Sequence, residues 1–252
     1  MINPMDLTGK RILVTGASSG IGKETAIHLS KLGASLVLVA RNEEKLLDTI
    51  FSLEGTGHSL HHFNLKDIDN IEEFLEEIIN KIGKLNGLVH CAGINELRPL
   101  GITDYNFLHN TMLINFYSFV ELVRVISKKK NCAKSTSVVV MSSVASIKGD
   151  KSKTAYCASK GALDSAVRAM AKELAVKNIR VNSVVAGFLK TNMYDSYIKE
   201  LGEEAFNENV LRYQYLGLGE PIDASNAIAF LLSNASKFIT GTNLIVDGGY
   251  LS

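Results

Sequence analysis

Arg11-Ile-Leu-Val-Thr15-Gly16-Ala-Ser-Ser-Gly20-Ile-Gly22 decides how this chain folds. A short apolar run, suited to one buried strand, meets three closely spaced glycines, and an amphipathic run then continues to about Leu32. Glycine here permits positive φ and lets backbone amides come close to a ligand. A helix opening directly behind the turn presents unpaired N–H groups and the positive end of its dipole, which together suit a pyrophosphate. The spacing is Gly-x-x-x-Gly-x-Gly rather than Gly-x-Gly-x-x-Gly. A purely structural turn also uses glycines, but at the first junction of a repeated strand–helix pattern this one reads as dinucleotide binding. Gly16, Ser18, Ser19, Gly20, Ile21 and Gly22 are the positions expected to bind it.

Outward from this turn, short apolar runs alternate with longer amphipathic ones, the pattern of βα units feeding a parallel sheet. Strands are expected at 11–15, 35–40, 60–65, 87–90, 137–141, 180–185 and 243–247, with the histidines of the third making it the least typical. Helices are expected over 20–32, 43–51, 68–82, within 104–130, and over 155–176 and 223–232, with 186–221 a long irregular stretch. The predicted fold is α/β: one Rossmann-type doubly wound domain spanning 1–252 with a seven-stranded parallel sheet.

Composition agrees with that size. A chain of 252 residues with 46% hydrophobic and 21% charged residues can bury one large core, and three prolines leave no obvious linker. The net charge of +1 argues against an electrostatic nucleic-acid binder. No segment approaches the apolar length that spans a bilayer, and residues 1–10 lack the features of a signal peptide. Cys91, Cys132 and Cys157 are too few and scattered for a disulfide framework or structural zinc, so a reducing, cytoplasmic location is expected and no metal. Lys128, Lys129, Lys130 and Lys134, with Lys172 and Lys177, form a basic cluster that would suit an acidic carrier protein but reads first as a solvated helix end.

The end of the second strand selects the cofactor. A carboxylate there would bind the adenosine ribose hydroxyls, whereas an arginine suits a 2′-phosphate. Ala40 stands where the acid is expected and Arg41 follows, so NADP(H) is favoured over NAD(H). Ser19 adds no second basic group in the turn.

Tyr156 and Lys160 are four residues apart, so they share one helix face, and Ser143 lies just past the fifth strand. A neighbouring cation favours the phenolate, and lowering a phenol pKa by about three units takes about 4 kcal/mol. Tyr-x-x-x-Lys is a common helical spacing, but the carboxyl edge of a parallel sheet is where ligands bind, which places this pair and Ser143 on the functional side.

With these residues in hand, the chain resembles the short-chain dehydrogenase/reductase family nearly end to end. The likeness covers Thr15 to Gly22, His90-Cys-Ala-Gly93, Asn115, Ser142-Ser143, Tyr156/Lys160, Arg180-Val-Asn182, Gly187 to Thr191 and Asp247-Gly-Gly249. The ending Ile239-Thr-Gly-Thr-Asn-Leu-Ile-Val-Asp-Gly-Gly249 is similar to that of 3-oxoacyl carrier-protein reductases and related ketoreductases. The resemblance implies that Tyr156 exchanges a proton with the substrate oxygen as hydride is transferred. It also implies that Ser143 hydrogen-bonds that oxygen, that Lys160 contacts the nicotinamide ribose, and that Asn115 holds a water of a proton relay. Asn64, Leu65, Cys91, Ala92, Gly93, Gly187, Leu189 and Thr191 join Arg41, Tyr156 and Lys160 as implied cofactor contacts, with Leu189 and Thr191 near the carboxamide. Three departures stand out: His90-Cys91 replaces an Asn-Asn pair, Asn64 an aspartate, and Ala186-Gly187 a Pro-Gly. Cys91 and Cys157 read as small buried residues, and His61 and His62 as strand or loop residues.

The resemblance further implies a lid over residues 186–222 and a homotetramer or homodimer paired through the long helices after strands four and five. The apolar stripe Leu163, Val167, Met170 and Leu174 is compatible with such pairing. The expected activity is NADPH-dependent reduction of a small carbonyl, a carrier-bound 3-oxoacyl thioester among the candidates. A polyol, sugar or steroid alcohol dehydrogenase is the main alternative, and a non-catalytic dinucleotide-binding regulator a remote one.

Overall fold

The computed structural model describes residues 3–252, apart from the side chains of Leu201 and Asn209; residues 1 and 2 of the expected domain lie outside that range. Seven strands pair in parallel: β1 (Arg11–Thr15), β2 (Ser35–Ala40), β3 (Ser59–His62), β4 (Leu85–His90), β5 (Cys132–Ser143), β6 (Ile179–Ala186) and β7 (Asn243–Val246). Their order across the sheet is β3-β2-β1-β4-β5-β6-β7, so the chain reverses direction of travel between β1 and β4. The crevice outside the strand ends at such a switch point is where an open α/β sheet binds ligands.

Alternation along each buried strand builds two cores, one per face. Leu13, Val37, Leu88, Val138 and Val181 point to the face covered by α3 (Ile71–Ile82), α5 (Ser118–Ile126) and α6 (Thr154–Leu174). Their neighbours Ile12, Val14, Leu36, Leu38, Val89, Val139 and Val184 point to the other face, under α1 (Gly20–Lys31), α2 (Glu43–Phe51) and α9 (Pro221–Leu232). Each fully buried aliphatic side chain in such a core stabilises the fold by about 1.5–3 kcal/mol. Leu163, Val167 and Leu174 belong to the first core, with Met170 packed against it, so the apolar stripe expected to serve an oligomer is satisfied within the chain.

Several boundaries differ from the sequence reading. β3 ends at His62 rather than 65, because its pairing with β2 stops at Ala40↔His62. β5 begins at Cys132, five residues early: Cys132 pairs with Leu85, and past an irregularity the strand pairs with β6 from Thr136 and with β4 again from Ser137. The single long helix expected within 104–130 is broken into α4 (Tyr105–Met112), a π-helical turn over Leu113–Tyr117, and α5. The stretch expected to be irregular holds α7 (Asn192–Leu201), α8 (Glu203–Phe206) and a second π turn at Asn207–Leu211. Thr191 caps α7 by accepting from Tyr194 N at 3.3 Å, and Phe206 and Val210 pack on Val144, Val185 and Tyr250 in a third core beneath it. α9 starts at Pro221, with Glu220 N donating to Asp223 Oδ2 at 2.8 Å.

Among the described residues, no helix is long and apolar enough to cross a membrane. Two lysines of the basic cluster are ion-paired: Lys128 binds Glu72, and Lys130 Nζ lies 2.7 Å from Glu76 Oε1.

Candidate active site

The glycine turn has the local geometry its composition predicts. Gly16 and Gly20 have φ of 69° and 52°, in the left-handed region. A Cβ on Gly16 would lie 2.7 Å from Ala92 N, and one on Gly22 would overlap the Gly16 carbonyl oxygen. Ser19 precedes α1 in an extended conformation and its side chain makes no capping bond, so the first amides of α1 have no side-chain acceptor there.

This turn floors a cleft of about 290 Å³ at the β1/β4 switch point. Gly16, Ser18, Ser19, Gly20, Ile21 and Gly22 line it from below; Ala40 and Arg41 line it after β2, Asn64 and Leu65 after β3, and Cys91, Ala92 and Gly93 after β4. Arg41 is exposed on the rim, and no acid stands at Ala40 beside it. Asn64 is committed to its own turn, its Oδ1 accepting from Lys66 N at 3.2 Å and its carbonyl from Asp67 N at 2.9 Å. The close backbone approach and uncapped helix start fit a nicotinamide dinucleotide.

The two substitutions after β4 have clear physical readings. His90 Nδ1 lies 3.0 Å from Thr15 Oγ1, and Ala92 N donates to the same hydroxyl at 3.4 Å. The imidazole thus ties β4 to β1, a task the resemblance gives to an amide. Burial, followed by the nearby Lys160 charge, pushes His90 down to about 3, so the ring is neutral. Cys91 sits against Gly22, and burial pushes its thiol up to about 12, which leaves it unreactive.

The proton-transfer candidates converge where β5 ends and α6 begins. Ser143 closes β5, its Oγ accepting from Ala145 N at 3.2 Å. Tyr156 lies in the first turn of α6, and Lys160 one turn later donates from Nζ to Met141 O at 2.7 Å. Lys160 Nζ is 5.6 Å from the centre of the Tyr156 ring. Burial pushes Tyr156 up to about 12, opposed by a hydrogen bond with Ser143. Burial also pulls Lys160 down to about 8, opposed by Asp164 one turn further on. In the protein alone the ammonium donates to a strand carbonyl and desolvation holds the phenol above its ordinary value; the acidification expected of Lys160 also calls on the positive charge of a cofactor ring.

Asn115 occupies the middle of the first π turn and is fully buried. Its Oδ1 accepts from Ile94 N at 2.8 Å, while Nδ2 donates to Ile94 O and to Ser159 Oγ, each at 3.0 Å. With its amide so engaged, Asn115 locks the segment after β4 onto α6. A π turn shifts the i→i−4 ladder locally, a feature that often marks functional sites.

A second cavity, of about 110 Å³, adjoins the cleft. Ser143 and Tyr156 face it, as do Gly187, Leu189 and Thr191, of which only Thr191 also lines the dinucleotide cleft. Ile21, Thr191 and Met193 line both, so ligands in the two spaces would abut. The remaining wall comes from Phe188, Tyr194 and Tyr197 of the lid, Tyr250, and Lys148, Asp150 and Lys153 of the β5–α6 loop. The sequence reading left out the three loop residues and Tyr250. Their signal was positional: any loop between Ser143 and Tyr156 must lie at the carboxyl edge of the sheet. Gln214 was also left out. Buried, it accepts from Phe188 N and donates to Phe188 O, each at 2.9 Å, pinning the lid's first residues. Among the described residues, no group of three His, Cys, Asp or Glu is placed to hold a metal ion.

Comparison with known proteins agrees with the fold. Residues 16–251 match a family model described as enoyl-(acyl carrier protein) reductase. A 3-oxoacyl-(acyl-carrier-protein) reductase from Thermotoga maritima is 33% identical over 251 residues, covering 97% of this chain and 99% of the relative. An L-xylulose reductase from Caenorhabditis elegans is 34% identical over 247 residues, with 97% of each chain covered. The solved structure of a short-chain type dehydrogenase/reductase from Mycobacterium ulcerans superposes with a TM-score of 0.89 at 28% identity, covering 98% of this chain and 91% of that one.

Proposed function

Because the chain belongs to the short-chain dehydrogenase/reductase family, oxidoreductases that interconvert CH–OH and C=O with a nicotinamide dinucleotide, we propose that it reduces a carbonyl to a secondary alcohol using NADPH. The observation that carries this reading is the shared wall: Ser143 and Tyr156 face a small cavity that adjoins, through Ile21, Thr191 and Met193, the cleft over the glycine turn.

In this reading the amides of Gly20, Ile21 and Gly22 hold the pyrophosphate, with Ser18 and Ser19 beside it, and Arg41 binds a 2′-phosphate on the rim. Asn64 and Leu65 flank the adenine, Cys91 to Gly93 lie along the middle of the cofactor, and Gly187, Leu189 and Thr191 approach the nicotinamide end. The dinucleotide, when bound, supplies the hydride. Tyr156 donates the proton to the carbonyl oxygen, and Ser143, which faces the same cavity, hydrogen-bonds that oxygen. Lys160, fixed by Met141, offers its charge to the cofactor ribose and to the phenol. Asn115 acts by holding Ile94 and Ser159, and the π turn around it is the site for a relay water.

The L-xylulose reductase relative favours a polyol or sugar as the second reading. A homodimer or homotetramer, a carrier-bound substrate and a cytoplasmic location extend the proposal; sedimentation of the purified chain tests the first. The activity test is NADPH oxidation against a panel of ketones, 3-oxoacyl thioesters, ketoses and oxosteroids. Tight NADPH binding without turnover of any member would refute the enzymatic reading and leave a dinucleotide-binding regulator.

A further inference from the structure

Resting on the reductase reading, we propose that the substrate carries a carboxylate opposite its carbonyl, and that Lys148 binds it. The cavity that holds Ser143 and Tyr156 at one end has the loop Lys148–Lys153 at its wall. Lys148 is exposed at the mouth of this wall, its backbone N donating to Val144 O at 2.8 Å. Its ammonium lies 4.2 Å from the Tyr250 ring centre and 4.8 Å from that of Tyr213. Aromatic faces position a cation without neutralising it.

The charges around the cavity do not cancel. Asp150 is turned away from Lys148: its Oδ2 accepts from Lys153 Nζ at 2.9 Å and from Tyr197 Oη at 3.3 Å. Lys153, only 5% exposed, lies 4.1 Å from the Tyr197 ring centre. Asp150 and Lys153 therefore form a neutral pair, and among the described residues Lys148 has no carboxylate partner. One positive charge is left over at the wall of the cavity.

The rest of the lining selects among anions. Val144, Phe188, Leu189, Met193 and the Tyr194 ring make most of the wall apolar, with Asn95 and Ser142 among its polar groups. A phosphate monoester carries about −1.5 to −2 charge near pH 7, more than one ammonium matches. A short oxo acid meets each demand: its carbonyl at Ser143 and Tyr156, its methylenes on the aromatic wall, and its single charge on Lys148. This narrows the carbonyl toward free oxo acids and away from carrier-bound thioesters, whose acyl end is neutral.

The test compares 4-oxopentanoate and 5-oxohexanoate with their methyl esters in NADPH oxidation. The wild-type protein should prefer the acids in kcat/KM by about three- to tenfold, the upper end of what an ion pair with an exposed lysine contributes. In K148M the acid-to-ester ratio should fall to near one, mostly through KM for the acid, and K148R should restore most of the preference. Thermal melts and NADPH titrations of both variants report folding independently of turnover. Equal use of acids and esters by the wild type, or a ratio that survives K148M, overturns the inference. Reduction of neutral ketones without any oxo acid overturns it while leaving the reductase reading intact. If NADPH binds but no carbonyl of either kind is reduced, the reductase reading fails first and this inference with it.

Discussion

Lys160 donates a 2.7 Å hydrogen bond to the Met141 carbonyl, which fixes its ammonium 5.6 Å from the centre of the Tyr156 ring. Helix α6 is thereby pinned to strand β5 at the level of the cavity that Ser143 and the Tyr156 phenol face. Tyr156→Phe should lower kcat by about 10²- to 10⁴-fold, the usual contribution of a positioned proton donor. Dinucleotide affinity, followed by titration of NADPH fluorescence, should change little, because the ring and its packing remain.

Arg41 stands alone on the rim beyond Ala40. Arg41→Ala should weaken NADPH by roughly tenfold or more while leaving NADH nearly unchanged, since a charge-assisted contact to phosphate is worth about 1.5–3 kcal/mol. Dissociation constants for the two cofactors, measured at one fixed salt concentration, check this. Equal losses for both would assign Arg41 to the surface.

A Cβ at Gly22 would overlap the Gly16 carbonyl oxygen, and backbone there has little room to move because Gly16 N is bound to Val39 O at 2.9 Å. Gly22→Ala should destabilise the fold by about 1–3 kcal/mol, the range for overpacking. It should also weaken either dinucleotide alike, unlike Arg41→Ala. Denaturant melts and cofactor titrations separate the two effects.

His90 supplies a pH signature. Its folded value, about 3, lies below the ordinary 6.5, so between those limits the unfolded chain binds a proton that the folded protein does not. Stability contributed by the neutral ring is thus fully present above pH 6.5 and is lost as pH falls toward 3. At pH 5 the loss relative to pH 7 is about 2 kcal/mol. His90→Asn, whose amide can still reach Thr15, should flatten this acid limb in urea melts run from pH 7 to pH 4.5. A limb of unchanged slope would place the titrating group elsewhere.

Much of the sheet is legible in sequence because parallel strands buried on both faces are nearly uninterrupted apolar runs; Leu36 to Ala40 is a clear example. The opening of β5 is not legible, since only Cys132 pairs with β4 before Ser137 and the residues between, Ala133 to Thr136, carry no apolar run. Helix α7 is missed for a related reason: it packs on the lid's own aromatic cluster rather than on the sheet, so Tyr194, Tyr197 and Ile198 are its only stripe. The π turn at Leu113–Tyr117 has the composition of ordinary helix, and its shifted ladder depends on tertiary contacts of Asn115. The residues of the glycine turn, Ser143, Tyr156 and Lys160 could be picked out because their spacing is local. Lys148 and Tyr250 could not, because the fold brings the cavity wall together from opposite ends of the second half of the chain.

The pairing of β1 with β4 also governs how the chain is made. Thr15 and His90 are 75 residues apart, and the lid residue Thr191 is later still. At typical synthesis rates, roughly ten to thirty seconds separate the emergence of the glycine turn from that of the lid. Throughout the first part of that interval β1 has β2 on one side and an open, apolar edge on the other. The cleft, whose floor lies in the first tenth of the chain, is therefore among the last features to exist, and the half-made sheet depends on β4 arriving before another strand takes its place.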